Sequence, residues 1–356
     1  MAFDAASGII ESRPTIYVGG AEKPDLAPGL LYLLVVEQTS GLYRCEAKFS
    51  NWGLKDGRTD FLYFDRRTLD FGKQFQIKLG ADTLFDGRVT ALEADFPEAA
   101  PPTLTVLAED RFQDLRMTRR TRSFADVTDA DVFNQIANDH GLSPSVSVTG
   151  PKYKVLAQVN QSDLAFLRER ARSVDAELWV EGKTLNAKSH ASRGGTPKEL
   201  KHGNELSSFR VMADLAMQRT SVFVNGWDVS NKQAIQHEAT ESDISGELGG
   251  DESGVGILQS QFGARREALA HAVPLNSQEA QAAAESFFKA SARRFLVGRG
   301  VAGTDASMRA GRHVKLQKIG PLFDGKYYLT EVRHVFDLAD GLRTEFTCER
   351  PGIGRP

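Results

Sequence analysis

Alternating apolar and polar residues are clearest near the C-terminus, where the pattern predicts strands over 326–336 and 342–349. One face of the first strand carries Tyr328, Thr330, Val332, His334 and Phe336. Asp340 and Gly341 lie between the two runs, and this dipeptide favours the tight turn of an antiparallel hairpin. A shorter strand over 313–319 precedes them. The pattern therefore predicts that the chain ends in an antiparallel meander, which suggests a scaffold more than a catalytic loop.

The first part of the chain shows similar alternation in short runs. Strands are predicted over 15–18, 29–38, 42–50, 74–79, 83–95 and 103–108. Glycine and proline separate these runs, and short strands at this spacing are typical of a small barrel or sandwich. We therefore predict a first β-barrel domain over residues 1–110.

Helical periodicity replaces the alternation after residue 110. A helix is predicted over 129–140, with Thr128 as its N-cap and Gly141 at its end. A second helix is predicted after Ser162, with Asp163 in its first turn, where negative charge suits the helix dipole. Its inward stripe is Leu164, Leu167 and Ala171, and a strand over 176–180 follows. Residues 111–185 are therefore predicted to form a small α/β insert domain.

Strand character returns over 207–212 and 220–227, and a third helix is predicted over 278–294 with Ser277 as its N-cap. Residues 238–256 are acidic and rich in glycine, and they are predicted to form a flexible loop. With the terminal meander, residues 186–356 make a second predicted β-barrel domain. The predicted fold class is mainly β, with two antiparallel β-barrel domains and an α+β insert.

Composition narrows the class of protein. The 356 residues include 44 Lys plus Arg and 47 Asp plus Glu, a formal charge of −3 that gives no general attraction to nucleic acid or an anionic membrane. A membrane helix needs about 20 apolar residues, and the densest run is 30–36. The N-terminus lacks the basic and apolar regions of a signal peptide.

Cys45 and Cys348 could form a disulfide, although two buried reduced thiols fit a protein made in the cytoplasm better.

A search for catalytic or metal-binding residues finds lone histidines. The candidates are His190, His202, His237 and His334, which no HExxH motif, His-x-His pair or acidic cluster accompanies. A carboxylate pair of Asp163 and Glu169 could be imagined for glycoside cleavage. A helix N-terminal charge and a solvated face explain these two residues better. The nucleophile motif G-x-S-x-G is absent from the sequence. We expect no catalytic, cofactor-binding or metal-binding residue.

Two further motifs favour structural roles. The glycines of 298–303 lack the lysine and following helix of a phosphate-binding loop, and they suggest a bulge or a close contact between strands. The arginines between Arg116 and Arg122 could contact nucleic acid, but no aromatic residues lie among them. Ion pairing between subunits or a solvated turn is the preferred interpretation.

Four segments together resemble a known family. They are RTRSFADVTDADVFNQIANDHGL, YKVLAQVNQSDLAFLRERARSVDAELWV, VFVNGWDVSNKQAI and GRGVAGTDASMRAGRHVKLQKIGPLFDGKYYLTEVRHVFD. In this order they resemble the phage late-control D family, the baseplate hub of contractile tails. They are similar also to the hub portion of type VI secretion spikes of the valine-glycine repeat type. The resemblance covers residues 110–350, and over 1–109 it depends mainly on LFDGRVTALEADF.

The resemblance implies a non-enzymatic structural role. It implies a homotrimer in which each subunit contributes two tube-like barrels, so that three subunits match a hexameric tail tube. The implied partners are a central spike protein, the tail-tube ring, baseplate wedge proteins and a tape-measure protein. The implied location is the baseplate of a virion tail or tail-like particle assembled in the bacterial cytoplasm. Because spike-bearing relatives continue into a further barrel and a β-helix, we expect the spike to be a separate protein.

Two alternatives remain at this point: a peptidoglycan-degrading tail hub, and a carbohydrate-binding β protein for host attachment. The second predicts exposed aromatic residues clustered on loops, whereas Trp52, Trp179 and Trp227 lie in or beside predicted strands. The sequence does not distinguish a phage virion from a bacteriocin or an extracellular injection system.

Overall fold

The computed structural model describes residues 13–229 and 231–355. The predicted absence of a signal peptide concerns residues that lie largely outside this part of the chain. The fold is mainly β and is built around one large sheet, which confirms the predicted fold class. The predicted domain boundaries after residues 110 and 185 remain predictions.

The N-terminal segment contributes nine strands. They are β1 (Thr15–Val18), β2 (Ala21–Glu22), β3 (Leu30–Gln38), β4 (Arg44–Ser50), β5 (Trp52–Lys55), β6 (Arg58–Phe61), β7 (Gln74–Leu79), β8 (Asp82–Asp95) and β9 (Thr103–Glu109), with a 3-10 turn at Pro24–Leu26. Strands β5 and β6 pair only with each other and form a separate hairpin.

The middle segment is the α/β insert. Its elements are α1 (Phe112–Arg116), β10 (Arg119–Val127), α2 (Asp129–Asp139), β11 (Ser143–Ser147), β12 (Tyr153–Ser162), α3 (Asp163–Ser173), β13 (Ala176–Glu181), β14 (Thr184–Ser189) and α4 (His190–Arg193). Thr128 and Ser162 cap α2 and α3 as predicted. The buried faces of these helices pack on the insert's own apolar core.

The C-terminal segment combines strands and helices. Its elements are β15 (Lys198–Lys201), β16 (Leu206–Ala213), β17 (Ser221–Asp228), β18 (Gln233–Thr240), a 3-10 turn (Glu241–Asp243), α5 (Ser245–Leu248), β19 (Glu252–Ser253), α6 (Gly254–Phe262), β20 (Arg266–Ala268), α7 (Ser277–Arg293), β21 (Leu296–Gly303), β22 (His313–Gln317), β23 (Gly325–Asp337), β24 (Gly341–Arg350) and β25 (Gly352–Ile353). The predicted terminal hairpin is β23–β24.

Strand β23 connects the N-terminal and C-terminal segments. One of its edges pairs with β24 along its length, while the other pairs with β22 at residues 325–328 and with β3 at residues 331–337. The resulting sheet runs β16-β21-β24-β23-β3-β4-β9-β8-β7-β1-β2, and β15 and β22 join it beside β23. Backbone hydrogen bonds therefore hold the two predicted β domains in a single sheet.

Between β16 and β21 the chain forms a smaller layer that the sequence did not suggest. Strands β18, β17 and β20 form a sheet whose apolar side packs against α7. Val222 and Val224 point from β17 into this core, and Ala284 and Phe288 enter it from α7. The predicted third helix is thus correct, but its N-cap is Asn276 and not Ser277, since the Asn276 side chain accepts from the Glu279 amide.

The predicted flexible loop over 238–256 is wrong. This stretch contains the end of β18, the 3-10 turn, α5, β19 and the start of α6. Two of its acidic residues pair with buried arginines, since Glu247 accepts from Arg293 at 2.8 Å and Asp251 from Arg350 at 2.7 Å. Acidic composition suggested solvent exposure, whereas the arginines that neutralise these acids come from distant parts of the chain.

Candidate assembly surface

The two faces of the large sheet differ in character. One face carries the apolar cores of the N-terminal and C-terminal segments, including Val35, Ala47 and Val106 on one side of the β3–β23 joint and Val332 and Phe346 on the other. The opposite face, which we call the polar face, is defined by residues that alternate with these. It carries Glu22, Tyr17, Gln76, Arg88, Glu93, Thr105, Lys48, Tyr32, Arg333, Glu345, Thr347, Arg299 and Arg210.

Charged side chains pair with one another on the polar face. Arg343 donates to Asp337 at 2.7 Å and to Glu345 at 3.1 Å, and Arg333 lies 3.9 Å from Glu345. Tyr32 lies among these charges, and burial, together with Glu46, raises the pKa of its phenol. Around Arg333 and Arg343, paired charges of both signs produce a hydrated surface without a strong net field.

A groove of about 800 Å³ lies on this polar face, where β3 and the strands around β21 meet solvent. Its lining includes Ser208, Arg210, Arg299, Glu331 and Thr347. The glycines of 298–303 lie in β21 beside it. Gly298 and Gly300 face the opposite way, toward Phe209 and Phe346, where a Cβ atom would collide with the aromatic rings. The glycines therefore make room for aromatic side chains of the neighbouring strands, while the predicted bulge or close contact between strands stays a prediction.

An aromatic patch surrounds the β5–β6 hairpin. The Trp52 and Phe61 rings lie 5.1 Å apart in an edge-to-face arrangement, and Phe61 stacks on Phe64 at 5.0 Å. Phe96 completes the patch at 5.7 Å from Phe64. Trp52 is 43% exposed, Leu54 78% and Phe96 62%. Exposed apolar side chains in one cluster are typical of protein–protein contact sites.

A buried polar network joins the three segments of the chain. Arg193 donates to Glu177 at 2.7 Å and to the Tyr43 hydroxyl at 2.9 Å, and the Tyr328 hydroxyl donates to Glu177 at 2.6 Å. The Arg193 guanidinium also lies 4.0 Å from the centroid of the Trp179 ring. Burial raises the pKa of Glu177, while the positive charge of Arg193 opposes that shift. The network holds the N-terminal, middle and C-terminal segments in one arrangement.

Beside this network, a cleft of about 850 Å³ separates α3 from α7. Its lining includes Arg172, His190, Phe287, Arg293 and Glu349. Burial, followed by the charges of Arg293, His313 and Arg193, lowers the pKa of His190 to about 2. Burial raises the pKa of Glu349 to about 7, and the charge of Arg293 opposes it. His190 is therefore a neutral side chain at physiological pH.

The structure does not bring the histidines singled out from the sequence into one site. His190 stacks against Tyr328 with ring centroids 4.0 Å apart, His334 is buried 3.2 Å from the Thr344 hydroxyl, and His237 lies 3.7 Å from Glu285. His202 is exposed after β15. In residues 13–229 and 231–355, no group of three or more His, Cys, Asp or Glu is placed to hold a metal ion.

Asp163 and Glu169 have separate hydrogen-bond partners and do not act as a pair. Asp163 is buried and binds Arg122 at 2.9 Å and His140 at 2.8 Å, while Glu169 accepts from Gln161 at 2.7 Å. Burial opposes ionisation of Asp163, but hydrogen bonds from its partners outweigh it and lower the pKa. The interpretation of the nearby arginines as subunit contacts or a solvated turn is wrong for Arg120 and Arg122, which lie in β10 and form ion pairs with Asp163 inside the chain.

The two cysteines are free and buried in the structure, Cys45 in β4 and Cys348 in β24. Burial raises the pKa of both thiols. Across the described part of the chain, no helix is long and apolar enough to cross a bilayer.

Comparison with solved structures shows that the chain has the fold of phage tail proteins. The 43 kDa tail protein of prophage MuSo2 from Shewanella oneidensis superposes with a TM-score of 0.71 at 12% identity, over 95% of this chain and 98% of that chain. A tail protein from Neisseria meningitidis MC58 superposes with a TM-score of 0.66 at 12% identity, over 96% and 97%.

A secretion-system protein shares the fold as well. The E. coli c3393 protein, described as a component of the type VI secretion system, superposes with a TM-score of 0.55 at 12% identity, over 92% of this chain and 76% of that chain. The c3393 protein is itself described as structurally similar to the T4 bacteriophage tail proteins gp27 and gp5. At these identities the comparisons establish the fold.

Sequence comparison identifies the family. The family model described as the Alg8 N-terminal domain matches residues 51–337, so the chain belongs to that family. The motifs resemble the late-control D family, which is a different family from the one that the model matches. Membership of the late-control D family remains a prediction. No curated protein matches the chain in sequence.

Proposed function

We propose that this protein is the structural baseplate hub of a contractile phage tail or a tail-like injection particle. In this role it is a homotrimer that joins a central spike protein to the hexameric tail tube. Baseplate wedge proteins and a tape-measure protein are the further partners. The particle is assembled in the bacterial cytoplasm, and the hub transmits force without catalysing a reaction.

The observation that carries this proposal is the single sheet formed through the β3–β23 joint. Each copy of the chain offers two adjacent halves of one sheet, from the N-terminal and C-terminal segments, with one shared polar face. Three copies therefore offer six such halves, which is the number that a hexameric tube needs. The tail-protein fold of solved relatives supports the same role. A polar face with paired charges suits the wall of a channel through which other molecules must slide.

Stable hubs also need large contacts between subunits, on the order of 2,000 Å² or more for obligate assemblies. The aromatic patch on the β5–β6 hairpin is the best candidate for such a contact. The Lys55 ammonium beside it is already used, because Lys55 donates to the Phe61 and Leu62 carbonyls at 3.1 Å and to Asp65 at 2.9 Å. The patch therefore offers apolar surface that this cation does not need to contact.

The hydrogen bonds of Lys55 also weigh against the carbohydrate-binding alternative. Trp52 and Trp227 are 43% and 54% exposed, which that alternative requires. However, a sugar needs free hydrogen-bonding groups beside the aromatic ring, and the Lys55 ammonium on the hairpin of Trp52 already has three acceptors within the chain. Binding to a glycan array at micromolar protein would favour host attachment over the hub.

For the peptidoglycan-degrading alternative, the decisive measurement is a zymogram with the purified protein. We expect no clearing of embedded cell wall. Clearing that persists after removal of contaminating hydrolases would replace the structural proposal with an enzymatic one.

The direct test of the hub is the mass of the protein in solution. Light scattering after size-exclusion chromatography should give three times the 39.1 kDa mass of the chain at micromolar concentration. A stable monomer under these conditions would overturn the proposal.

A matched pair of variants tests assembly with the partners. Leu54→Asp places a charge in the aromatic patch, and Leu338→Asp places one at a similarly exposed leucine outside it; the two side chains are 78% and 61% exposed. In a particle-producing strain lacking this gene, Leu338→Asp should restore intact tails and Leu54→Asp should not. Equal restoration by both would exclude the patch as an assembly contact.

A further inference from the structure

Two arginines of the polar face lie directly opposite each other at one end of the large sheet. Arg210 of β16 and Arg299 of β21 are register partners, and both are exposed. Across residues 13–229 and 231–355, neither guanidinium forms a hydrogen bond or an ion pair with a carboxylate. Like charges directly opposite each other in an antiparallel pair destabilise the sheet. The pair is therefore uncompensated within a single chain.

The acids nearest to this pair already have other partners. Thr347 separates Arg299 from Glu331 in the register, and Glu331 accepts from Gln38. Glu345 pairs with Arg343 at 3.1 Å. The same acids line the groove beside the arginines and would repel a polyanion such as nucleic acid. A single carboxylate placed between the two guanidiniums fits this surface better.

The arginine pair also lies at a free edge. In the described part of the chain, β21 is the strand that pairs with β16, and Leu206 alone forms an isolated bridge with His202 on the other side. The outer edge over residues 207–213 therefore carries unpaired backbone groups. This strand contains no proline or lysine, the residues that usually protect an exposed edge. An unprotected edge is a template for another strand, and the described chain supplies none.

The opposite end of the sheet has a complementary feature. Glu22 of β2 is exposed on the same polar face and is the register partner of Tyr17. Its carboxylate accepts from the Tyr17 hydroxyl at 3.1 Å, while the Lys78 ammonium lies over the Tyr17 ring at 4.3 Å. In the part of the chain that the structure describes, Glu22 forms no ion pair. One end of the sheet therefore has two unpaired cations and the other an unpaired carboxylate.

We propose that the sheet of one copy joins that of the next, with β2 of the second copy along the free edge of β16 and its Glu22 beside the Arg210–Arg299 pair. The contact joins two different edges, so it is heterologous and closes into a ring. This inference rests on the proposed trimer and names the strands that form its joint. The contact also compensates the like-charged pair, because the third charge comes from the neighbouring copy.

Charge reversal tests the joint. The wild type is compared with R210E/R299E, with E22R, and with the triple variant that combines them, using light scattering and the dissociation constant of the trimer. Each reversal alone should weaken the trimer roughly tenfold or more, and the triple variant should recover most of the loss. The control is Lys154→Glu on β12, an exposed residue of the insert in a sheet separate from the large one; it should leave the trimer unchanged.

The outcomes separate this inference from the function proposed above. A trimer that withstands both reversals, or a triple variant without recovery, overturns the Arg210–Glu22 joint and leaves the hub in place. A monomeric wild type overturns the hub and the joint together.

A second measurement does not depend on charge. The variant carrying Arg210→Cys and Glu22→Cys should give covalently linked copies on mild oxidation, since the native cysteines are buried. Either single cysteine variant should give no ladder of covalent trimers. Absence of cross-linking in a trimeric double variant would overturn the joint.

Discussion

Arg193 donates a hydrogen bond to Glu177 at 2.7 Å, and both side chains are largely withdrawn from solvent. This pair lies where the three segments of the chain meet, since the Tyr43 and Tyr328 hydroxyls also belong to it. Buried ion pairs contribute modestly to stability when intact, but removing one partner leaves an uncompensated charge. The relative placement of the segments therefore depends on this contact.

Replacing Arg193 with Met should destabilise the protein by about 3–5 kcal/mol, because Glu177 would be left buried without its cation. Chemical denaturation at pH 7 measures the change. Arg58→Met on the exposed β5–β6 hairpin is the control and should change stability by less than about 0.5 kcal/mol. A loss below about 1 kcal/mol for Arg193→Met would show that Glu177 finds another partner.

Gly41→Ala should be far more costly than Gly57→Ala, although both glycines have positive φ angles of 71° and 82°. A Cβ atom on Gly41 would lie 2.6 Å from the Phe112 ring and 2.7 Å from the Leu178 carbonyl, while one on Gly57 meets nothing within 4 Å. Gly57→Ala should cost about 1 kcal/mol from backbone strain alone.

The steric contact at Gly41 should add about 1–3 kcal/mol to that value. Denaturation curves of the two variants under the same conditions give the difference. Equal losses would mean that the insert shifts away from the turn at Gly41 without cost.

Glu349→Gln should change how stability depends on pH. Burial raises the pKa of Glu349 to about 7 from the ordinary value of 4.5. The folded protein therefore holds a proton that the unfolded chain releases between these pH values, so this side chain favours folding fully below pH 4.5. That contribution is lost as pH rises through 7.

Glutamine keeps the uncharged form at every pH. The stability of Glu349→Gln relative to wild type should therefore increase by about 3 kcal/mol between pH 4.5 and 8. Denaturation at several pH values measures it, with Glu345→Gln on the same strand as the control. A flat difference across this range would contradict the burial of the Glu349 carboxyl group.

Two neighbouring residues at the N-terminus of α7, Asn276 and Ser277, are candidates for its N-cap. Asn276→Ala should cost about 1 kcal/mol, because its side chain accepts from the Glu279 amide at 2.9 Å. Ser277→Ala should be nearly neutral. Thermal denaturation of both variants checks this, and the reverse order would restore the cap predicted from the sequence.

The sequence predicted elements well where a local pattern decided them. The caps at Thr128 and Ser162 and the β23–β24 hairpin depend on residues a few positions apart, and these predictions are confirmed. The prediction of a flexible loop over 238–256 failed because residues far away in the chain decide its structure. Its order comes from Arg293 and Arg350, which lie dozens of residues away in the chain.

The sequence did not predict the candidate assembly surface, because this surface also depends on contacts between distant parts of the chain. Nothing local indicates that β3 pairs with β23, a contact between strands far apart in the chain that merges two sheets into one. Nor does any local pattern indicate that Arg210 and Arg299 lie opposite each other, because register between distant strands is set by packing of their buried faces.

The sequence by itself indicated the mainly β class, the three longest helices and a likeness to phage tail proteins, because periodicity, caps and turns act over short range. Only the tertiary structure decided that residues 13–229 and 231–355 contain one large continuous sheet with a polar face, whose two ends have no partner strand within those residues. It also decided that Glu177 and Arg193 form a buried junction. These features depend on which distant surfaces exclude water together, and that depends on the packing of the whole chain.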